Sequence, residues 1–211
     1  VPTFPFKNRE GEDQGDAYSI AAINPLDKVP TLALDDGQIV YGSQAVVECL
    51  DSMSKSGKQL YPISGKKRWD AITRLALADT MFENTVALAM EGWNPVEEQR
   101  IDFFKWIWPK LIRGFDFLEI ACKKGFDDFD IGQAAMLHAV SYTDFKVNFY
   151  DAKDPLYPEF DCFENRPNLK AWWDDTIQRP SVTSHYNVEF DGEDSAAFCQ
   201  QQVQLVLEAQ R

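Results

Sequence analysis

The chain has 211 residues, with 21 Lys and Arg set against 34 Asp and Glu for a formal net charge of −13. Such a balance repels phosphate backbones and anionic membrane surfaces alike, which argues against nucleic-acid binding. With 45% hydrophobic and 13% aromatic residues there is enough apolar material for a core, and disorder along the whole chain is excluded.

Residues 1–6, Val-Pro-Thr-Phe-Pro-Phe, alternate in a way that suits an edge strand, because two prolines withhold ladder donors. They show neither the basic start nor the long apolar stretch of a secretion signal, and no later run approaches the ~18 apolar residues of a membrane span. The expectation is a cytoplasmic protein. Residues 7–16 are polar and read as a loop, and residues 17–23 as a helical turn before Asn24-Pro25. Thr31-Leu32-Ala33-Leu34 and Gln38-Ile39-Val40-Tyr41 flank Asp35-Asp36-Gly37, where Asp-Gly signals a type I′ hairpin with positive φ at both central residues. Ser43 suits a helix N-cap, and Ala45, Val46, Cys49 and Leu50 make one apolar face behind it.

Near residue 60 the character changes from short segments to long helical patterns, which places a linker at 61–66 between a domain over 1–60 and an all-helical domain over 67–211. Trp69, Ile72, Leu75, Ala76, Phe82, Val86 and Ala89 keep helical spacing until Gly92 and Asn94-Pro95. A second helical pattern covers 96–124, with Pro109 as a kink or a restart. Asp130 and Gln133 form a capping box, each side chain expected to meet the other's backbone N–H, at the head of a buried helix. Further helices are expected over 168–178, with Trp172 buried between late helices, and over 195–209.

The cysteines at 49, 122, 162 and 199 match no zinc or redox spacing and read as reduced thiols. The two histidines, His138 and His185, are too few for a His-rich metal site, and none is expected; His138 reads as core.

The run Asn24-Pro25-Leu26-Asp27-Lys28-Val29-Pro30-Thr31-Leu32, followed by Val40-Tyr41-Gly42-Ser43-Gln44-Ala45-Val46, resembles the thioredoxin-like domain of the glutathione transferase family. Pro167-Asn168-Leu169-Lys170-Ala171-Trp172, Arg179-Pro180 and Val182 are similar to that family's late signature, and Asp130 to Gln133 falls where its helix cap belongs. The resemblance implies an α/β thioredoxin-like N-terminal domain and an all-α C-terminal domain. It also implies glutathione as co-substrate, a small hydrophobic electrophile as second substrate, and a homodimer.

Carried over residue by residue, it implies glutathione contacts at Lys28, Val29, Pro30, Gly42 and Ser43. A cis Val29-Pro30 bond would turn Val29's backbone outward to pair with an extended tripeptide. Ser43 at a helix start would meet the γ-glutamyl carboxylate, as a cap, a ligand contact or both. Lys28 is either solvated or set against the glycine carboxylate. Two departures are visible: Gly42 stands where the family carries an acid or Gln, and Asp27 where it carries Gly.

The family's first βα unit, which bears the thiolate-activating residue, has no counterpart before residues 1–6. The expectation is that residues preceding Val1 supply it, with residues 1–6 moving into the vacant slot as the alternative. The catalytic residue stays unknown. The electrophile is expected between the domains against Met81, Phe82 and Thr85, positions that would otherwise be core. Three readings stay open: glutathione transfer, a glutathione-dependent cis–trans isomerisation serving a biosynthetic, secondary-metabolic or catabolic role, and a non-catalytic regulatory or scaffold module.

Overall fold

A computed structural model describes residues 20–55, 57–92, 94–145 and 160–183. The described residues divide into two compact units between Gln59 and Leu60. The expected strand at 1–6, the loop at 7–16, the helix at 195–209, His185 and Cys199 lie outside the described residues.

In the first unit a 3-10 turn, Ile20–Ala22, leads into a loop and then an antiparallel hairpin, β1 (Thr31–Ala33) with β2 (Ile39–Tyr41), in the register Thr31 to Tyr41, Leu32 to Val40 and Ala33 to Ile39. The connection differs from the type I′ expectation. Leu34 N–H donates to the Gln38 carbonyl and Gly37 N–H to the Leu34 carbonyl, both at 2.9 Å, which makes a three-residue loop. Within it only Gly37 has positive φ, 88°. Asp36 escapes that requirement because the loop is one residue longer, and its carboxylate accepts from Gln38 N–H at 3.0 Å.

Helix α1 (Ser43–Ser52) follows at once. Its N-cap is Gly42, with φ 88° and ψ 132°, and Ser43 is the first helical residue, so the expected cap lies one position late. An L side chain rarely adopts that φ, and glycine does so without a Cβ penalty.

The second unit is helical: α2 (Gly65–Gly92), a 3-10 turn (Val96–Glu98), α3 (Ile101–Lys124), α4 (Ile131–Phe145), α5 (Pro167–Thr176) and the short α6 (Pro180–Thr183). Pro109 sits inside α3, which continues through it, so the restart reading is not the one adopted. The core is built from Ala78, Met81 and Leu88 of α2, Ile107, Leu111, Phe115 and Leu118 of α3, and Met136, Ala139 and Val140 of α4, with Cys162, Leu169 and Trp173 closing it. Trp173 is 8% exposed, while Trp172 only packs on the margin, which corrects the expectation for Trp172. His138 is also corrected: it lies on the exposed flank of α4, its ring 4.5 Å from that of Phe82, because the buried face runs through Met136, Ala139 and Val140.

Helices α2 and α4 cross closely at Gly132, where an added Cβ would lie 2.6 Å from the Ala71 carbonyl oxygen. Ion pairs then tie the starts of α4 and α3 to α2. Asp130 bonds Arg74 of α2 and accepts from Gln133 N–H at 3.0 Å. Glu91, 5% exposed at the end of α2, accepts from Arg100 N–H at 2.6 Å at the cap of α3 and pairs with the Arg100 guanidinium.

Candidate functional site

The first unit gathers the predicted glutathione contacts around one short bridge. Gly42 N–H donates to the Pro30 carbonyl at 3.2 Å, so the residues just before β1 are held against the first turn of α1. The Val29-Pro30 peptide bond is cis. Val29 is 47% exposed, and among the described residues its backbone N–H and C=O have no hydrogen-bond partner. Such an unpaired strand-like edge suits pairing with an extended peptide. Lys28 and Pro30 are exposed and Ser43 is half-buried.

The loop that carries this edge is organised from beneath by Asn24, which in the sequence marks the end of a helical turn and opens the run that resembles the family, with no role of its own expected. Asn24, 1% exposed, donates through Nδ2 to the Lys28 carbonyl at 2.7 Å and to Thr31 Oγ1 at 3.0 Å, and accepts through Oδ1 from Leu26 N–H at 3.0 Å. Thr31 Oγ1 donates to the same Lys28 carbonyl at 2.9 Å. Asp27 stands at φ 49°, and its carboxylate accepts from Ala21 N–H at 2.9 Å. Asp tolerates this left-handed conformation and turns its charge to a local donor, which explains how it fits in place of glycine.

Met81, Phe82 and Thr85 are not alike. Met81 is 2% exposed and packs on Gly114, whose added Cβ would lie 2.6 Å from its sulfur. Thr85 is 3% exposed, donates to the Met81 carbonyl at 3.0 Å and shares a 2.9 Å hydrogen bond with Thr143. Phe82 keeps a half-exposed ring, with His138 and Tyr142 each at 4.5 Å between centroids. None of the three lines either of two clefts formed by described residues of the helical unit, one of about 390 Å³ near Phe126, Phe129 and Trp172 and one of about 320 Å³ near Arg74 and Phe117.

Two thiols are poor nucleophiles here. Burial pushes Cys122 and Cys162 up to about 12, the Glu119 charge adding to the first and the Asp144 and Asp161 charges to the second. Among the described residues no group of three His, Cys, Asp or Glu could hold a metal ion, and no helix is long and apolar enough to cross a membrane.

A family model described as the glutathione S-transferase N-terminal domain matches residues 5–53. The chain is similar to the crystal structure of a glutathione transferase family member from Pseudomonas fluorescens Pf-5 with bound S-(propanoic acid)-glutathione, with 30% identity, 76% of each chain covered and a TM-score of 0.66. It belongs to the glutathione transferase family. A structure of a glutathione transferase family member from the same organism with bound glutathione is 29% identical over 78% of this chain and 76% of that one, with a TM-score of 0.69. A glutathione S-transferase from Methylobacillus flagellatus KT with GSH bound is 25% identical over 78% of each chain, with a TM-score of 0.68. No curated protein matches. As a glutathione transferase family member the chain has the thioredoxin-like N-terminal part and the helical C-terminal part, with the Val29-Pro30 and Gly42-Ser43 pairs on the first.

Proposed function

We propose that this chain binds glutathione and adds its thiolate to an electrophilic carbon of a small hydrophobic molecule. The supporting observation is the 3.2 Å bridge from Gly42 N–H to the Pro30 carbonyl, which sets Val29's unpartnered backbone beside the start of α1. Val29 pairs with the tripeptide backbone, Ser43 and the α1 terminus meet the γ-glutamyl carboxylate, and Lys28 faces the glycine carboxylate. Glutathione supplies the thiolate that forms the carbon–sulfur bond, with halide leaving from an aryl halide, or with the C=C π bond of an enone opening and a proton from water completing the addition. The residues described here bind and orient it, and no catalytic residue is assigned among them. Of Met81, Phe82 and Thr85, only Phe82 is retained as a substrate contact, because the other two are covered by their own helix bundle. The same reading carries a glutathione-binding domain over 1–60, a helical domain over 67–211, a cytoplasmic setting and a homodimer. Large exposed side chains of the helical unit such as Trp69, 66% exposed, and Trp106, 62% exposed, offer a second copy apolar surface to cover.

Calorimetry with glutathione on the wild type, Ser43→Ala and Ser43→Thr tests it. The Ala variant is expected to lose about 1.5–3 kcal/mol of binding, roughly ten- to hundredfold, and the Thr variant to keep most of it. Equal affinity in all three would remove Ser43 from the site. A wild type that binds no glutathione at millimolar concentration would leave the scaffold reading in its place. Mass spectrometry of mixtures with aryl halides and cis-enones detects a lasting adduct, the transferase outcome, and chromatography against authentic trans-enone detects a rearranged double bond with glutathione returned, the isomerase outcome. Light scattering at micromolar concentration decides the dimer.

A further inference from the structure

The Lys28 carbonyl is engaged twice from inside the loop, by Asn24 Nδ2 at 2.7 Å and Thr31 Oγ1 at 2.9 Å. Lys28-Val29 is a trans peptide, the cis bond being the next one along. In a planar trans peptide the carbonyl oxygen and the following N–H point in opposite directions. Holding the Lys28 carbonyl toward buried Asn24 therefore aims Val29 N–H away from it, toward the exposed side of the loop, where Val29 has no partner among the described residues. Rotating that peptide would cost both inward hydrogen bonds and leave the 1% exposed Asn24 amide with Thr31 Oγ1 alone as its acceptor.

We infer that Asn24, seconded by Thr31, is the positioning residue that presents Val29 N–H as a fixed donor to the peptide carbonyl of an extended tripeptide ligand. This rests on the glutathione reading above. Asn24 makes no ligand contact itself. It also grips Leu26 N–H through Oδ1 at 3.0 Å, so one side chain holds the exposed loop at residues 26, 28 and 31. Pre-organising a donor in this way saves the ordering cost of a mobile loop at the moment of binding.

The test compares glutathione with an analogue whose cysteinyl-glycine amide is reduced to a methylene amine, which removes the carbonyl that would accept from Val29. Calorimetry is run on the wild type, Asn24→Ala and Thr31→Val, with circular dichroism to fix the folded fraction. The wild type should prefer glutathione by about tenfold, the preference should fall to about two- to fourfold in Thr31→Val, and it should approach unity in Asn24→Ala. General loosening of the fold would weaken both ligands in parallel and leave the ratio intact. A wild-type ratio retained in both variants overturns the role of Asn24 while the glutathione reading stands. A wild type that binds neither ligand removes that reading itself. Should Asn24→Ala fail to fold, the isosteric Thr31→Val change decides the matter alone.

Discussion

The Trp172 indole N–H of α5 donates to Gln133 Oε1 of α4 at 3.0 Å, joining two helices whose partners are 39 residues apart. Gln133 is 4% exposed and spends its other end on the Asp128 carbonyl at 2.7 Å. Half of the expected capping box is therefore present: Asp130 accepts from Gln133 N–H, and Gln133, where it was to reach back to Asp130, serves a long-range contact.

The two adjacent tryptophans should accordingly fail in different ways. Trp173→Ala empties a core position and is expected to cost about 3–5 kcal/mol in chemical denaturation. Trp172→Phe keeps the ring surface but leaves the buried Gln133 oxygen without its donor, for about 1–3 kcal/mol. An unchanged stability in Trp172→Phe would show that the hydrogen bond contributes nothing beyond burial.

Gly132→Ala should also destabilise. An alanine in an exposed helix interior normally gains about 1 kcal/mol over glycine. Here its Cβ would come 2.6 Å from the Ala71 carbonyl oxygen and 2.8 Å from Arg74 Cβ, so α2 and α4 must separate. The expected net loss is about 1–3 kcal/mol. A raised melting temperature in the variant would disprove the close crossing.

Glu119 gives stability a pH dependence. Burial acts to raise its carboxyl, but hydrogen bonds from the Asn168 side chain, from Leu169 N–H at 2.7 Å and Asn168 N–H at 3.2 Å, and the Arg166 charge together hold it below the usual range. A carboxyl depressed in the folded state contributes above the unfolded pKa, about 4.3, and loses that contribution as pH falls through its folded value. Glu119→Gln should therefore be about 1–2 kcal/mol less stable at pH 7, and its deficit should shrink below about pH 4. A deficit constant from pH 7 to pH 3 would assign the effect to packing instead.

Cys122 and Cys162, pushed up to about 12, carry on the order of one thiolate in ten thousand at pH 8. Iodoacetamide should leave both largely unmodified in the native protein and label them in urea, as peptide mass spectrometry would show. Rapid native labelling at Cys162, 1% exposed, would mean that the bundle opens there.

How far the molecule could be read from its sequence depended on how local each cause is. The hairpin followed from Asp36-Gly37 and two apolar runs, and α2 from spacing with Gly92 at its end. One-residue displacements, such as Gly42 taking the cap in place of Ser43, arise because a serine preference does not tell whether the preceding glycine already has a backbone only glycine favours. Asn24 was legible as the end of a helical turn, but its acceptors at residues 28 and 31 exist only once the loop closes. Met81 and Thr85 share the apolar stripe with Phe82, and spacing alone does not tell which edge of a stripe meets another helix.

The starts of α3 and α5 take their backbone donors to Glu91 and Glu119, carboxylates that belong to earlier helices. Helix initiation in this bundle is thus partly delegated: α5 gains the acceptor for its first turn only when α3 is already in place beside it. Fraying of α5 and undocking from α3 become one event, and a peptide spanning residues 160–183 should be a weaker helix former than its native order suggests.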